Sequence, residues 1–159
     1  MENAKIISII LMCFFLHLGC AHKNPIRTSN ITEQDNPLIG TWVLVSSNNT
    51  SPEGEYYILD QSNTRQMKIL NPTHFMFIQE NIETGDKEFV SAAGGRYEVD
   101  GNTYVEALDY ASWENYKDSN AVFTWKMEDG KWYHKGVLNS PNGDHFFIEE
   151  VWERVNEDQ

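Results

Sequence analysis

From Leu38 onward, short runs of alternating apolar and polar residues are separated by turn-forming pairs. Alternation with period two marks a half-buried strand, because successive side chains point to opposite faces. It predicts eight strands: Thr41 to Ser46, Arg65 to Leu70, His74 to Gln79, Phe89 to Val99, Thr103 to Tyr110, Val122 to Glu128, Lys131 to Asn139 and His145 to Val155. Asp100-Gly101 and Asp129-Gly130 each lie between two such runs and supply the positive φ of a tight type I′ hairpin. Asn142-Gly143 marks a third reversal, and Gly94-Gly95 marks a bulge or bend inside its strand. Pro52 to Leu59 and Ala111 to Ser119 fit strands poorly and read as a short helix or a lid.

Alternation also assigns faces. Phe123, Trp125 and Met127 share one side of their strand opposite Thr124, Lys126 and Glu128, so the aromatic side faces the core. The same rule turns Trp132, His134 and Leu138 inward, then Phe146, Ile148, Glu150 and Trp152, and it groups Tyr104, Glu106, Leu108 and Tyr110. The prediction is an all-β fold, a single antiparallel up-and-down β-barrel of about eight strands over residues 38–155. Eight-stranded barrels either fill with side chains or hold one small ligand.

The N-terminal pattern differs. Lys5 precedes an apolar stretch from Ile6 to Leu18, the layout of an export signal, and at thirteen residues it is short of the roughly 20 that span a bilayer. It ends in Leu18-Gly19-Cys20, which resembles the lipobox of bacterial lipoproteins. That resemblance implies cleavage before Cys20 and acylation of its thiol, with more than one chain needed for stable anchoring. An ordinary secretory peptide, or an uncleaved anchor with Cys20 an incidental thiol, fits the same residues. Ala21 in place of an aspartate after the cysteine favours the outer membrane. Residues 21–37 hold few apolar residues and two prolines and read as a tether, so the chain divides into 1–19 signal, 20–37 acylated cysteine and tether, 38–155 barrel and 156–159 acidic tail.

Composition narrows the partners. The 159 residues are 40% hydrophobic and 13% aromatic, enough for a packed core, and carry a net charge of −12. Such an excess repels a phosphate backbone, so nucleic acid is excluded as a partner. Cys13 lies within the apolar stretch, which leaves Cys20 alone after cleavage and no internal disulfide.

Gly40-Thr41-Trp42 on the first strand and Glu150-Val151-Trp152-Glu153-Arg154 on the last look like the lipocalin and wider calycin signature. The fuller set resembles a lipocalin-like family of uncharacterised bacterial lipoproteins: Ile39 to Ser46, Lys68 to Phe75, Gly94-Gly95-x-Tyr97, Gly101-x-x-Tyr104-x-Glu106 and Glu149 to Trp152. The resemblance implies a barrel in the cell envelope, with Trp42 closing one end beneath Arg154.

Two acids fall on inward faces, Glu106 and Glu150, and each needs a partner or a raised pKa. With Tyr104, His74, His134, Trp125 and Tyr110 they form the candidate ligand-binding set, a polar pole in an aromatic cavity. Two like charges close together predict that one acid titrates well above its ordinary value. A small hydrophobic or amphipathic ligand is the expected partner besides the membrane. The alternatives are an interaction subunit with a filled barrel, or an enzyme using a Glu/His pair. No spacing supports a metal site and no motif implies a cofactor; His74 and His134 with either acid are the nearest approach to a metal set. If Cys20 is the anchor, metabolic labelling with a palmitate analogue marks the wild-type chain and leaves Cys20→Ala unlabelled.

Overall fold

The structure, a computed structural model, describes residues 36–85 and 87–155; Cys20, the signal and the chain before Asn36 lie outside them. Nine strands follow in order: β1 (Gly40–Thr50), β2 (Tyr56–Asp60), β3 (Thr64–Leu70), β4 (His74–Asn81), β5 (Glu88–Asp100), β6 (Thr103–Ala111), β7 (Asn120–Glu128), β8 (Lys131–Asn139) and β9 (His145–Arg154). One turn of 3-10 helix, Glu114–Tyr116, interrupts the β6–β7 connection. All eight predicted strands are present, and the fold is all-β.

Each strand pairs antiparallel with its neighbours, and β1 pairs with β9 to close the sheet. The eight-stranded barrel is β1 with β3 through β9. β2 is additional: the lower half of β1 pairs with β3, and its upper half, Ser46 to Thr50, pairs with β2. Tyr56 to Leu59 is therefore strand, neither helix nor lid. Its side chains are mostly exposed because β2 has a sheet neighbour on one side only.

Turn chemistry departs from expectation at one hairpin. Asp129 and Gly130 both take positive φ, +51° and +74°, as type I′ requires. At the other, Asp100 pairs with Thr103, so the loop is Gly101-Asn102. Gly101 alone of those two is positive, at +57°, which is the pattern of type II′.

The β5–β6 register shifts between Gly94 and Arg96, and a Cβ on Gly95 would stand 1.9 Å from the Ala107 carbonyl oxygen. The extra β6 residue breaks its alternation. Tyr104, Glu106 and Leu108 face inward and are buried, but Tyr110 pairs with Gly94 on the outer face and is 76% exposed. Its assignment to the interior is corrected for that reason. His74 is corrected too: Phe75 takes the inward position, while His74 is exposed with Nδ1 2.8 Å from the Thr73 hydroxyl.

One end of the barrel is closed. Trp42 is fully buried, donates Nε1–H to the Leu38 carbonyl at 2.9 Å and packs edge-on against Trp132 at 5.4 Å. Arg154 lies over Trp42, Cζ 4.4 Å from the ring centre, and donates to the carbonyls of Ile39 and Pro37. A cation over an indole contributes roughly 0.5–2 kcal/mol. Gly40 makes room for it: its φ is +140°, and a Cβ there would meet Arg154 Nη1 at 2.2 Å. Trp42→Ala removes the centre of this floor and is expected to lower unfolding free energy by about 3–5 kcal/mol in a urea titration.

Candidate functional site

The inward face of β3 carries an unusual residue for a barrel interior. Thr64, Gln66, Lys68 and Leu70 point in and are buried, while Met67 and Ile69 point out and are about 40% exposed. Lys68 is only 3% exposed. An ammonium this deep must be paired, since desolvating an isolated charge costs many kcal/mol.

Its partners come from across the barrel. Lys68 Nζ donates to Glu106 Oε1 at 2.8 Å, and the Tyr104 hydroxyl donates to the same oxygen at 2.6 Å. Glu150 Oε2 lies 4.0 Å from Nζ. Trp152, Trp132, Phe75 and Tyr104 surround the ammonium, with ring centres 4.9, 5.4, 5.9 and 5.9 Å away. Lys68 thus sits in an aromatic cage with carboxylates on one side.

Glu150 sits in a second knot, built by the β8–β9 register that sets it opposite His134. Its Oε2 accepts from His134 Nε2 at 2.5 Å and from Trp152 Nε1 at 3.0 Å. Burial pushes the Glu150 carboxyl up, but the His134 hydrogen bond and the Lys68 charge outweigh it and hold the group below its ordinary value. The expectation of a raised acid is reversed at Glu150, because it counted two like charges and omitted the His134 hydrogen bond and the lysine between them. His134 is shifted down chiefly by burial, against the opposing pull of Glu150. That shift favours the neutral ring, whose Nε2 faces Glu150 Oε2 with Trp152 Nε1 3.2 Å away, while Nδ1 has no hydrogen-bond partner among the described residues.

A cavity of about 440 Å³ begins at this cluster and runs to the barrel end opposite Trp42. Lys68, Glu106 and Glu150 form its floor, and Tyr57, Trp113, Tyr116 and Phe146 line it near the mouth. Tyr104 and His134 lie behind the acids and do not line it; Trp125 faces inward, half-buried, and does not line it either. The structure therefore brings Glu106, Glu150, Tyr104 and His134 together and leaves His74 and Tyr110 on the outside, while Trp125 stands opposite His134 in the β7–β8 register without lining the cavity. With His74 outside, the two-histidine set weighed for a metal is not assembled.

Sequence reasoning missed Lys68. The available signal was its parity with Leu70 on β3, a strand whose faces the sequence reading did not assign. It also missed the amides of Gln66 and Gln79, which line the cavity.

No protein-family model matches the chain, and no characterised protein matches it by sequence. Among solved structures it is similar to Rv2717c from M. tuberculosis, at 8% identity and a TM-score of 0.46, covering 80% of this chain and 98% of that one.

Two outcomes follow. Lys68→Met leaves two acids uncompensated in the interior and is expected to cost about 3–5 kcal/mol, with part restored by adding Glu106→Gln; chemical denaturation measures both. Acid should destabilise the fold. Below the ordinary histidine value of 6.5 the unfolded chain binds a proton that buried His134 refuses, and below 4.5 the same holds for Glu150. Denaturation midpoints are thus expected to fall from pH 7 to pH 4, with His134→Gln flattening the first part of the decline.

Proposed function

We propose that the barrel binds one small, partly apolar molecule, and that the protein is a lipocalin-like lipoprotein held at the outer membrane of the cell envelope through Cys20. The observation that carries the binding reading is the cavity of about 440 Å³, which falls in the roughly 300–1,000 Å³ range of small-molecule sites. Its walls are largely apolar and its floor is charged, the combination that fixes one end of a ligand and buries the other. A filled barrel serving only as an interaction subunit would have no such space.

The same geometry favours binding over turnover. Glu150 Oε2 is occupied by two donors, and His134 is sealed behind it with no surface on the cavity. A general base must come within hydrogen-bond reach of a substrate proton, and His134, the base of the Glu/His pair, is not among the residues that line the cavity. The anchor rests on separate grounds: Lys5, the apolar run and Gly19-Cys20. The lipocalin-like assignment rests on Gly40-Thr41-Trp42 meeting Arg154 at the closed end of an eight-stranded meander.

A neutral apolar fluorophore, N-phenyl-1-naphthylamine, tests the binding reading without reference to charge. The full chain is expected to enhance its emission with one saturable site. Leu138→Trp, which places an indole where the leucine lines the cavity, is expected to abolish that site and keep the β circular dichroism spectrum. A wild-type chain that leaves the probe dark returns the protein to the interaction-subunit reading.

A further inference from the structure

The charges of the cavity floor do not cancel. Counted as formal charges, one cation, Lys68, stands against two acids, Glu106 and Glu150, which leaves −1. Each acid engages the cluster through one oxygen only, Oε1 of Glu106 and Oε2 of Glu150. Among the described residues no donor reaches the other oxygen of either acid. Neither oxygen is a sealed orphan, and both residues line the cavity. An acceptor pair with a surplus negative charge, open toward enclosed space, is complementary to a positively charged donor.

A second observation is independent of the acids. Gln66 is 94% buried, since its exposure is 6%, and it points into the cavity from β3, yet its side-chain amide makes no hydrogen bond among the described residues. Buried amides are ordinarily satisfied, so Gln66 is a polar group awaiting a partner. Asn49, Thr64 and Gln79 add hydrogen-bonding groups on its side of the cavity, among Leu59 and Phe77, whereas the facing side of β6 to β8 offers Leu108, Ala121, Phe123 and Leu138. A molecule seated there meets hydrogen-bonding groups along one edge and hydrocarbon on the other.

The mouth carries the same sign. The connections at that end hold Glu53, Glu55, Glu83, Glu114, Asp118 and Asp144 against Lys87 and Lys117, counting described residues. A low-dielectric cleft rimmed by one sign of charge draws in the opposite ion.

We propose that the ligand is a small organic cation, an ammonium group on an apolar, ring-bearing body, with the ammonium donating to Glu106 and Glu150 and the body lying against Phe123 and Leu108. This rests on the binding reading above and narrows it to one charge class. The lysine already present sits between the two acids, and the ligand supplies the charge that the floor lacks.

Three indoles of matched shape test it by isothermal titration calorimetry on the full chain: tryptamine, tryptophol and indole-3-acetate, which end in ammonium, hydroxyl and carboxylate. The expected order is tryptamine tightest, tryptophol weaker and indole-3-acetate weakest, with at least about a tenfold span from first to last. Glu106→Gln brings the floor to neutrality and is expected to shrink tryptamine's advantage over tryptophol. The wild-type order needs no variant, so a misfolded Glu106→Gln does not blunt the test. Indole-3-acetate binding as tightly as tryptamine would overturn the cation inference, and a bound naphthylamine probe would then show that the binding reading survives. If neither that probe nor any of the three indoles binds, both fail together.

Discussion

Closing an antiparallel sheet into a narrow tube sends every second side chain of eight strands into one shared interior. Residues far apart in sequence, and on walls that never hydrogen-bond, are thereby forced into contact. Lys68 and Glu106 lie on strands three places apart in the sheet, yet their charged atoms are 2.8 Å apart. Remove the lysine from that arrangement and two carboxylates share a low-dielectric space with no counterion. The Tyr104 and Trp152 hydrogen bonds, the neutral histidine and the surrounding ring cage all serve to keep one buried ammonium and two acids in a single geometry.

This cluster divides the interior into two parts with different physics. Below it, Trp42, Trp132 and Trp152 pack at ring-centre distances of 5.4 and 6.2 Å and are fully buried. That part is solid core. Above it, small or polar side chains face in at several positions, Ala121 on β7 and Thr64 and Gln66 on β3, where β3 could have placed its Met and Ile. The outward turn of Met67 and Ile69 is thus the counterpart of a polar, partly empty interior.

The strands were legible because period-two alternation and Asp-Gly or Asn-Gly turns are local signals. Glu106 and Glu150 were legible as inward acids for the same reason. What failed was whatever depended on an extra residue or a reversed face. Tyr110 has the right parity for the interior until the β5–β6 register shift inverts it, and nothing in the composition of Thr103 to Tyr110 announces that shift. His74 lost its inward place to Phe75, whose burial is decided by β3 and β5 on either side. β2 escaped because Pro52, Gly54 and two acids preface a run that pairs with only half of one neighbour. The direction of the Glu150 shift needed the His134 hydrogen bond and Lys68 together, and Lys68 needed the three-dimensional closure.

The seam between β1 and β9 bears on how the barrel is made. Arg154 reaches back to Ile39 across 115 residues, the same span over which the first and last strands must find each other. Hairpins such as β7–β8 and β8–β9 form from neighbouring segments, but the seam is a non-local pairing, and chains dominated by such pairings fold slowly. Without the final strand, Trp42 lacks the Arg154 that lies over it and the sheet has two unpaired edges, an arrangement prone to pairing with another chain. The last ten residues of the barrel therefore decide whether this chain closes on itself or adds to its neighbour.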